Sequence, residues 1–117
     1  MPEHSMQREI WQAAFQEGWE RPALVVSRNE LNRGRLILVV PCTSSRVEER
    51  VVYSNHVFLP SGSGGLAKDT VAQTHLIQPI EVNNLLQKIG ALDTERLAEV
   101  LLAIAWTIDL FDTAKAI

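Results

Sequence analysis

The sequence predicts a mainly β domain with one terminal helix, an α+β chain whose strands form a small, strongly curved antiparallel sheet or barrel. Three observations carry this reading. The 117 residues amount to one ordinary domain. Six short runs with strand character follow one another between turn residues, and the last part of the chain places apolar side chains at helical spacing. Apolar residues make up 46% and charged residues 21%, close to globular averages, which excludes a disordered or fibrous chain.

Ile10 to Phe15 reads as the first strand, followed by a short polar link, Gln16 to Glu20. Pro22 then opens Ala23-Leu24-Val25-Val26-Ser27, a strand whose first residue tolerates proline because its missing N–H falls outside the ladder. Ser27 to Arg33 is polar and reads as one short turn of helix. Arg35 to Val40 is the most apolar short run, and its length and branching indicate a strand covered on both faces. It ends in Pro41-Cys42-Thr43-Ser44-Ser45. Val51 to Leu59 and Thr70 to Ile77 alternate and read as two further strands, with a flexible hairpin loop from Pro60 to Gly65 between them. Glu81 to Leu86 suits a helical turn and Gln87 to Leu92 a closing strand.

Asp93 is a plausible N-cap, with Glu95 in the first turn where the helix dipole favours negative charge. Leu97, Val100, Leu101, Ile104, Ile108 and Phe111 form one apolar stripe, and Leu102, Trp106 and Leu110 a second. Such a helix is either wedged deeply into the core or packs on its own sheet while contacting another subunit. Residues 1–6 are expected to form a flexible start and 7–117 a single domain. Either Met6 is the natural first residue, with 1–5 a leftover, or the native chain begins at Met1.

The net charge of −3 argues against a basic nucleic-acid coat protein. Its distribution is uneven. Four arginines (Arg28, Arg33, Arg35, Arg46) against Glu30 give the 28–46 stretch +3, whereas the chain from Glu81 onward carries −3. Either one end faces a polyanion or both stretches are solvated surface. The lone Cys42 cannot form an internal disulfide, which suits a reducing cytoplasm. No apolar run reaches about 18 residues, so no membrane partner is expected, and the polar start lacks the apolar middle of a secretion signal. His, Cys and carboxylate spacings suggest no metal site, and no cofactor is expected. Pro60 to Lys68 fails the spacing of a phosphate loop, because its lysine is neither preceded by glycine nor followed by Ser or Thr.

Two segments stand out together. Arg21 stands at the mouth of one buried strand, and Thr43, followed by Ser44, at the end of the next. If the two strands pair antiparallel through the 27–34 connection, Arg21 and Thr43 meet at one rim of the sheet. A guanidinium fork beside a hydroxyl is a good receptor for a phosphate.

Arg21-Pro22-Ala23-Leu24-Val25-Val26-Ser27, then Val39-Val40-Pro41-Cys42-Thr43-Ser44, then Leu66-Ala67-Lys68-Asp69-Thr70-Val71-Ala72, resemble segments of the MazF/PemK toxins of type II toxin–antitoxin systems. The similarity runs from about Gln7 to Phe111. It implies an SH3-like small barrel of the MazF/PemK/CcdB type that forms homodimers. It also implies a metal-independent, sequence-specific endoribonuclease that cuts single-stranded RNA, usually mRNA, and is neutralised by a cognate antitoxin. On the family pattern Arg21 and Thr43 are the catalytic pair, with Ser44 as helper in holding the phosphate, while the positive 28–46 stretch, Arg28 and Arg46 included, suits both RNA phosphates and an acidic antitoxin tail. Trp19 beside the site either stacks on an unpaired base or plugs the barrel rim.

Two departures from the family pattern bear on function. The first connection, long and Gly-rich in the family, is here only Phe15 to Glu20. His75-Leu76 stands where the family has an Asp-Gln pair. His75 then either replaces that carboxylate in proton transfer or packs within the barrel. The alternatives to a nuclease are a non-catalytic barrel toxin resembling gyrase poisons and an inactive binding module. The first is disfavoured by the ending Ala114-Lys115-Ala116-Ile117, which lacks the Trp-Gly-Ile carboxyl end of those poisons.

Overall fold

The computed structural model describes residues 5–112. Seven strands run as β1 (Glu9–Phe15), β2 (Trp19–Val25), β3 (Leu36–Thr43), β4 (His56–Leu59), β5 (Thr70–Gln73), β6 (Gln78–Glu81) and β7 (Leu85–Ala91), with helices α1 (Val47–Arg50) and α2 (Thr94–Thr107). All pairings are antiparallel, in the order β4-β5-β3-β2-β1-β7. β6 shares an edge of β3 with β5: β6 pairs Leu36 to Val39, and β5 pairs Cys42 and Thr43.

The strands follow from burial. β2 and β3 carry side chains into two cores, Leu24, Val40 and Cys42 on one face and Ala23, Val25, Ile37 and Val39 on the other. Double-sided cover holds from Val39 to Cys42 only; Leu36 and Leu38, nearer the start of β3, are exposed. The turn joining β2 to β3 is a run of i, i+3 bonds (Leu31 to Arg28, Asn32 to Asn29, Gly34 to Leu31) rather than a helix. Fully buried Asn32 anchors it: its amide donates to the Ser27 carbonyl, and the Ser27 hydroxyl donates to Asn32 Oδ1 while accepting from the Leu38 N–H.

Three expectations are corrected. The strand expected from Val51 forms only from His56, because 47–50 make a helical turn and Val51, Val52 and Tyr53 stand exposed with no strand beside them. The strand expected over Thr70 to Ile77 breaks after Gln73. There Thr74 turns inward, its hydroxyl reaching the Asn55 carbonyl (2.7 Å) and Thr107 Oγ1 of α2 (2.8 Å), which pulls the backbone off the ladder. The chain resumes as β6, so seven strands replace the expected six. The turn at Val82–Asn84 agrees with the sequence.

The sheet curves strongly but does not close: no ladder joins β7 to β4 among the described residues. Register shifts in the β1–β7 pairing bend that edge. The seam is filled instead by the loop after β4, expected to be flexible. Gly64 and Gly65, both at positive φ, bring their backbone against Ile89 and Gly90 of β7, with no room for a Cβ at Gly65 or Gly90. The loop is pinned further by a bond from the Gly62 N–H to the Leu66 carbonyl (2.7 Å) and from the Ser61 N–H to Asp69 (2.8 Å). Glu9 ties β1 to β7 through Lys88 at 2.9 Å. Burial would raise its carboxyl pKa, but Lys88 and the N–H groups of Met6 and Trp11 outweigh burial and hold it below the ordinary value.

α2 is capped by Asp93, which accepts from the Arg96 N–H at 2.8 Å. It buries Leu97, Val100, Ala103 and Ala105 and leaves Leu102 and Trp106 exposed; beyond its end, Ile108, Leu110 and Phe111 are exposed too. The deeply wedged helix is therefore overturned. Of the expected flexible start, Ser5 is buried and the Met6 N–H bonds Glu9, while residues 1–4 lie outside the described residues.

Gly90→Ala should destabilise the domain by about 1–3 kcal/mol, since the new methyl meets the Gly64 carbonyl rather than a yielding side chain. Urea unfolding checks this, and an unchanged midpoint would show that the seam is loose.

Candidate active site

The site is built by the register of β2 against β3. Ala23 pairs with Pro41, Leu24 with Val40 and Val25 with Val39. Continuing this register by two residues sets Arg21 opposite Thr43. Directly opposed residues on antiparallel strands project to the same face, so this register, run on past the last ladder pair at Ala23 and Pro41, would bring the guanidinium and the hydroxyl to one face of the rim. The Arg21 charge acts on Cys42, the neighbour of Thr43, which fits this placement.

Arg21 is half-buried beside a cleft of about 320 Å³. Phe15, Pro41 and Leu76 wall the cleft, and Gln16 and Gln78 bring amides to it. Trp19, 58% exposed, completes it, with the Arg21 guanidinium carbon 5.2 Å from the indole centroid. That distance is a cation–π contact; it steadies a long side chain that no ion pair or hydrogen bond among the described residues holds. Trp19 thus presents much of its ring to solvent rather than plugging the rim.

Thr43 is half-buried, and its Oγ1 accepts from the Ser45 N–H at 3.1 Å. This fixes the oxygen and leaves its O–H free to donate outward. Ser44 and Arg46 line a second, more open polar cleft with Glu48, Ser61, Lys68 and Asp69. Arg46 takes a left-handed conformation (φ 53°) at the start of α1.

The positive stretch 28–46 is not one surface. Arg28 lies in the turn at the other end of β3 from Arg46, roughly 25 Å away at strand rise, and pairs with Glu30 at 3.4 Å, both well exposed. Arg28 is therefore not gathered with Arg21, whereas Arg46 lies toward the same rim.

His75 follows β5, one residue from the cleft wall at Leu76, but its described contacts lead elsewhere. The Asn55 amide donates to His75 Nδ1 at 2.6 Å, and the ring meets His56 edge-on at 5.3 Å. Both ring nitrogens of His56 are buried without a hydrogen-bond partner. Burial, then the neighbouring His75, push the His56 pKa below the ordinary histidine value; the Arg50 backbone opposes them from outside hydrogen-bond geometry.

Sequence reasoning did not reach Gln16, Gln78, Asn55 or His56. They sit in unremarkable sequence, and only the curvature of the sheet brings Gln78 of β6 toward Trp19 of β2. No group of three or more His, Cys, Asp or Glu among the described residues could hold a metal ion. No helix among them is long and apolar enough to cross a membrane. The carboxyl end from Ala114 lies outside the described residues.

Residues 6–108 match the family of PemK-like, MazF-like toxins of type II toxin–antitoxin systems. Comparison with curated proteins gave no match. Among solved structures, the toxin MazF-mt6 of Mycobacterium tuberculosis is similar at 25% identity and a TM-score of 0.76, over 88% of this chain and 98% of that one. An endoribonuclease in complex with its cognate antitoxin from a mycobacterial species shares 18% identity (TM-score 0.78, 91% and 96% covered). MazF of Deinococcus radiodurans shares 20% (TM-score 0.77, 93% and 100%). The last two bear on fold alone.

Cys42 stands between Pro41 and Thr43 but is fully buried. Burial pushes its thiol up to about 12, against weaker opposite effects of the Leu24 backbone and Arg21. It is therefore protonated through pH 9 and is no nucleophile. Iodoacetamide at pH 8.5 should label the native protein on the order of 100-fold more slowly than the urea-unfolded chain; equal rates would place Cys42 at the surface.

Proposed function

Because the chain belongs to the PemK-like, MazF-like toxins of type II toxin–antitoxin systems, we propose that it is a metal-independent endoribonuclease that cuts single-stranded RNA, mRNA included, at short sequences. It works in the cytoplasm as a homodimer and is held inactive by a cognate antitoxin. The observation that supports the reading is the β2–β3 register, which continued by two residues would put Arg21 opposite Thr43, with Arg21 and Trp19 lining the cleft.

In the proposed reaction the ribose 2′-oxygen attacks the adjacent phosphorus, losing its proton as the P–O5′ bond breaks. The products are a 2′,3′-cyclic phosphate and a 5′-hydroxyl, which gains a proton. The nucleophile is intramolecular, so the step does not require a metal-bound hydroxide. Charge grows on the non-bridging oxygens, where a guanidinium presents two parallel donors. The Thr43 O–H, its oxygen fixed by Ser45, donates to the same phosphate and holds it in line. Arg46 and Ser44 extend the cationic and hydroxyl-bearing rim along the strand's path. His75, committed to Asn55 and His56, is assigned a packing role rather than proton transfer. Homodimer formation is supported by the exposed Leu102 and Trp106 of α2 and by Leu110 and Phe111 after it, apolar surface that an isolated small domain rarely leaves open.

A long unstructured RNA incubated with the protein in EDTA should be cut to ends bearing 2′,3′-cyclic phosphate. Arg21→Ala should lower the rate by about 10²–10³ and Thr43→Val by a smaller factor. Wild-type protein that cuts only with added metal, or Arg21→Ala that cuts normally, would overturn the mechanism.

A further inference from the structure

The cleft beside Arg21 contains more than phosphate binding requires. A guanidinium needs no aromatic wall or side-chain amides to hold a phosphate, yet Trp19, Gln16 and Gln78 converge there. Trp19 presents its ring to solvent and is held close to Arg21 by their stacking contact. An exposed indole beside a cation that grips the RNA backbone is a stacking platform for an unpaired base.

Gln78 supplies an edge. Its Nε2 donates to the Leu76 carbonyl at 3.2 Å. Only the amide nitrogen can make that bond, so the orientation of the amide is fixed. The Oε1 acceptor and one remaining N–H are left for a ligand. Gln78 begins β6, whose pairing with Val39 of β3 holds the backbone in place.

The geometry points to Gln78 as a base-reading residue that selects adenine, stacked on Trp19, next to the phosphate held by Arg21. An acceptor beside a donor complements an amino group beside a ring nitrogen. Every base offers such an amide a match on its Watson–Crick edge, but only adenine offers a second one, N6–H with N7, where guanine presents acceptors alone and the pyrimidines a single polar group. A purine also covers more of the indole than a pyrimidine does. The inference rests on the RNA-cutting function proposed above and adds a base preference to it.

The test uses 2′-O-methyl uridine pentamers with A, G, C or U at the centre, which cannot undergo 2′-oxygen attack, and reads binding by fluorescence anisotropy of a 5′ dye. Wild-type protein should favour the A-centred pentamer by about tenfold over the U-centred one. Trp19→Ala should weaken all four by roughly tenfold. Gln78→Ala should abolish the preference for A. Gln78→Glu keeps the shape but offers only acceptors, so the preference should move to G, whose N1–H and N2–H both donate. Equal binding of the four pentamers by wild-type protein, or a preference for A that survives Gln78→Ala in a folded variant, overturns the inference. Failure of the nuclease reading is recognised separately, as absence of Arg21-dependent cutting of unmodified RNA.

Discussion

The register between β2 and β3 is the constraint on which the rest depends. Side chains alternate faces along a strand, so a slip of one residue would send Arg21 and Thr43 to opposite sides of the sheet. Two features hold the register. Val39 to Cys42 is buried on both faces, so any slip would exchange one core's residues for the other's. The buried Ser27–Asn32 pair fixes the turn that joins the strands, and with it the count of residues between them. A polar rim is thus positioned by apolar residues buried beneath it.

Curvature supplies what register alone cannot. A flat sheet would leave Trp19 and Arg21 of β2 far from the turn between β5 and β6. Bulges in the β1–β7 pairing and the glycine-to-backbone contact at the seam roll the sheet until Leu76 and Gln78 face the start of β2. The short connection between β1 and β2 leaves this cleft open above Trp19, whose contact with Arg21 replaces the cover a longer loop would give.

Much of this was legible in the sequence, and the rest was hidden for identifiable reasons. The β2 and β3 runs, their antiparallel pairing and the Asp93 cap could be read because they depend on local composition and one short connection. The break at Thr74 could not, because it depends on a hydroxyl meeting Thr107 from a helix 33 residues away. Val51 to Tyr53 alternate suitably for a strand, but exposure and the absence of a neighbour decide against it. Net charge over 28–46 overlooked that β3 carries its two ends to opposite sides of the domain, separating Arg28 from Arg46. Gln78 carries no motif at all; its interest comes from the hydrogen bond that orients it.

The central claim is that Arg21 and Thr43 grip one phosphate as a unit. A double-mutant cycle on the rate of RNA cutting, with Arg21→Ala, Thr43→Val and both together, measures this directly. Side chains acting on one phosphate predict a double variant scarcely slower than Arg21→Ala alone. Losses that multiply independently would contradict a shared phosphate.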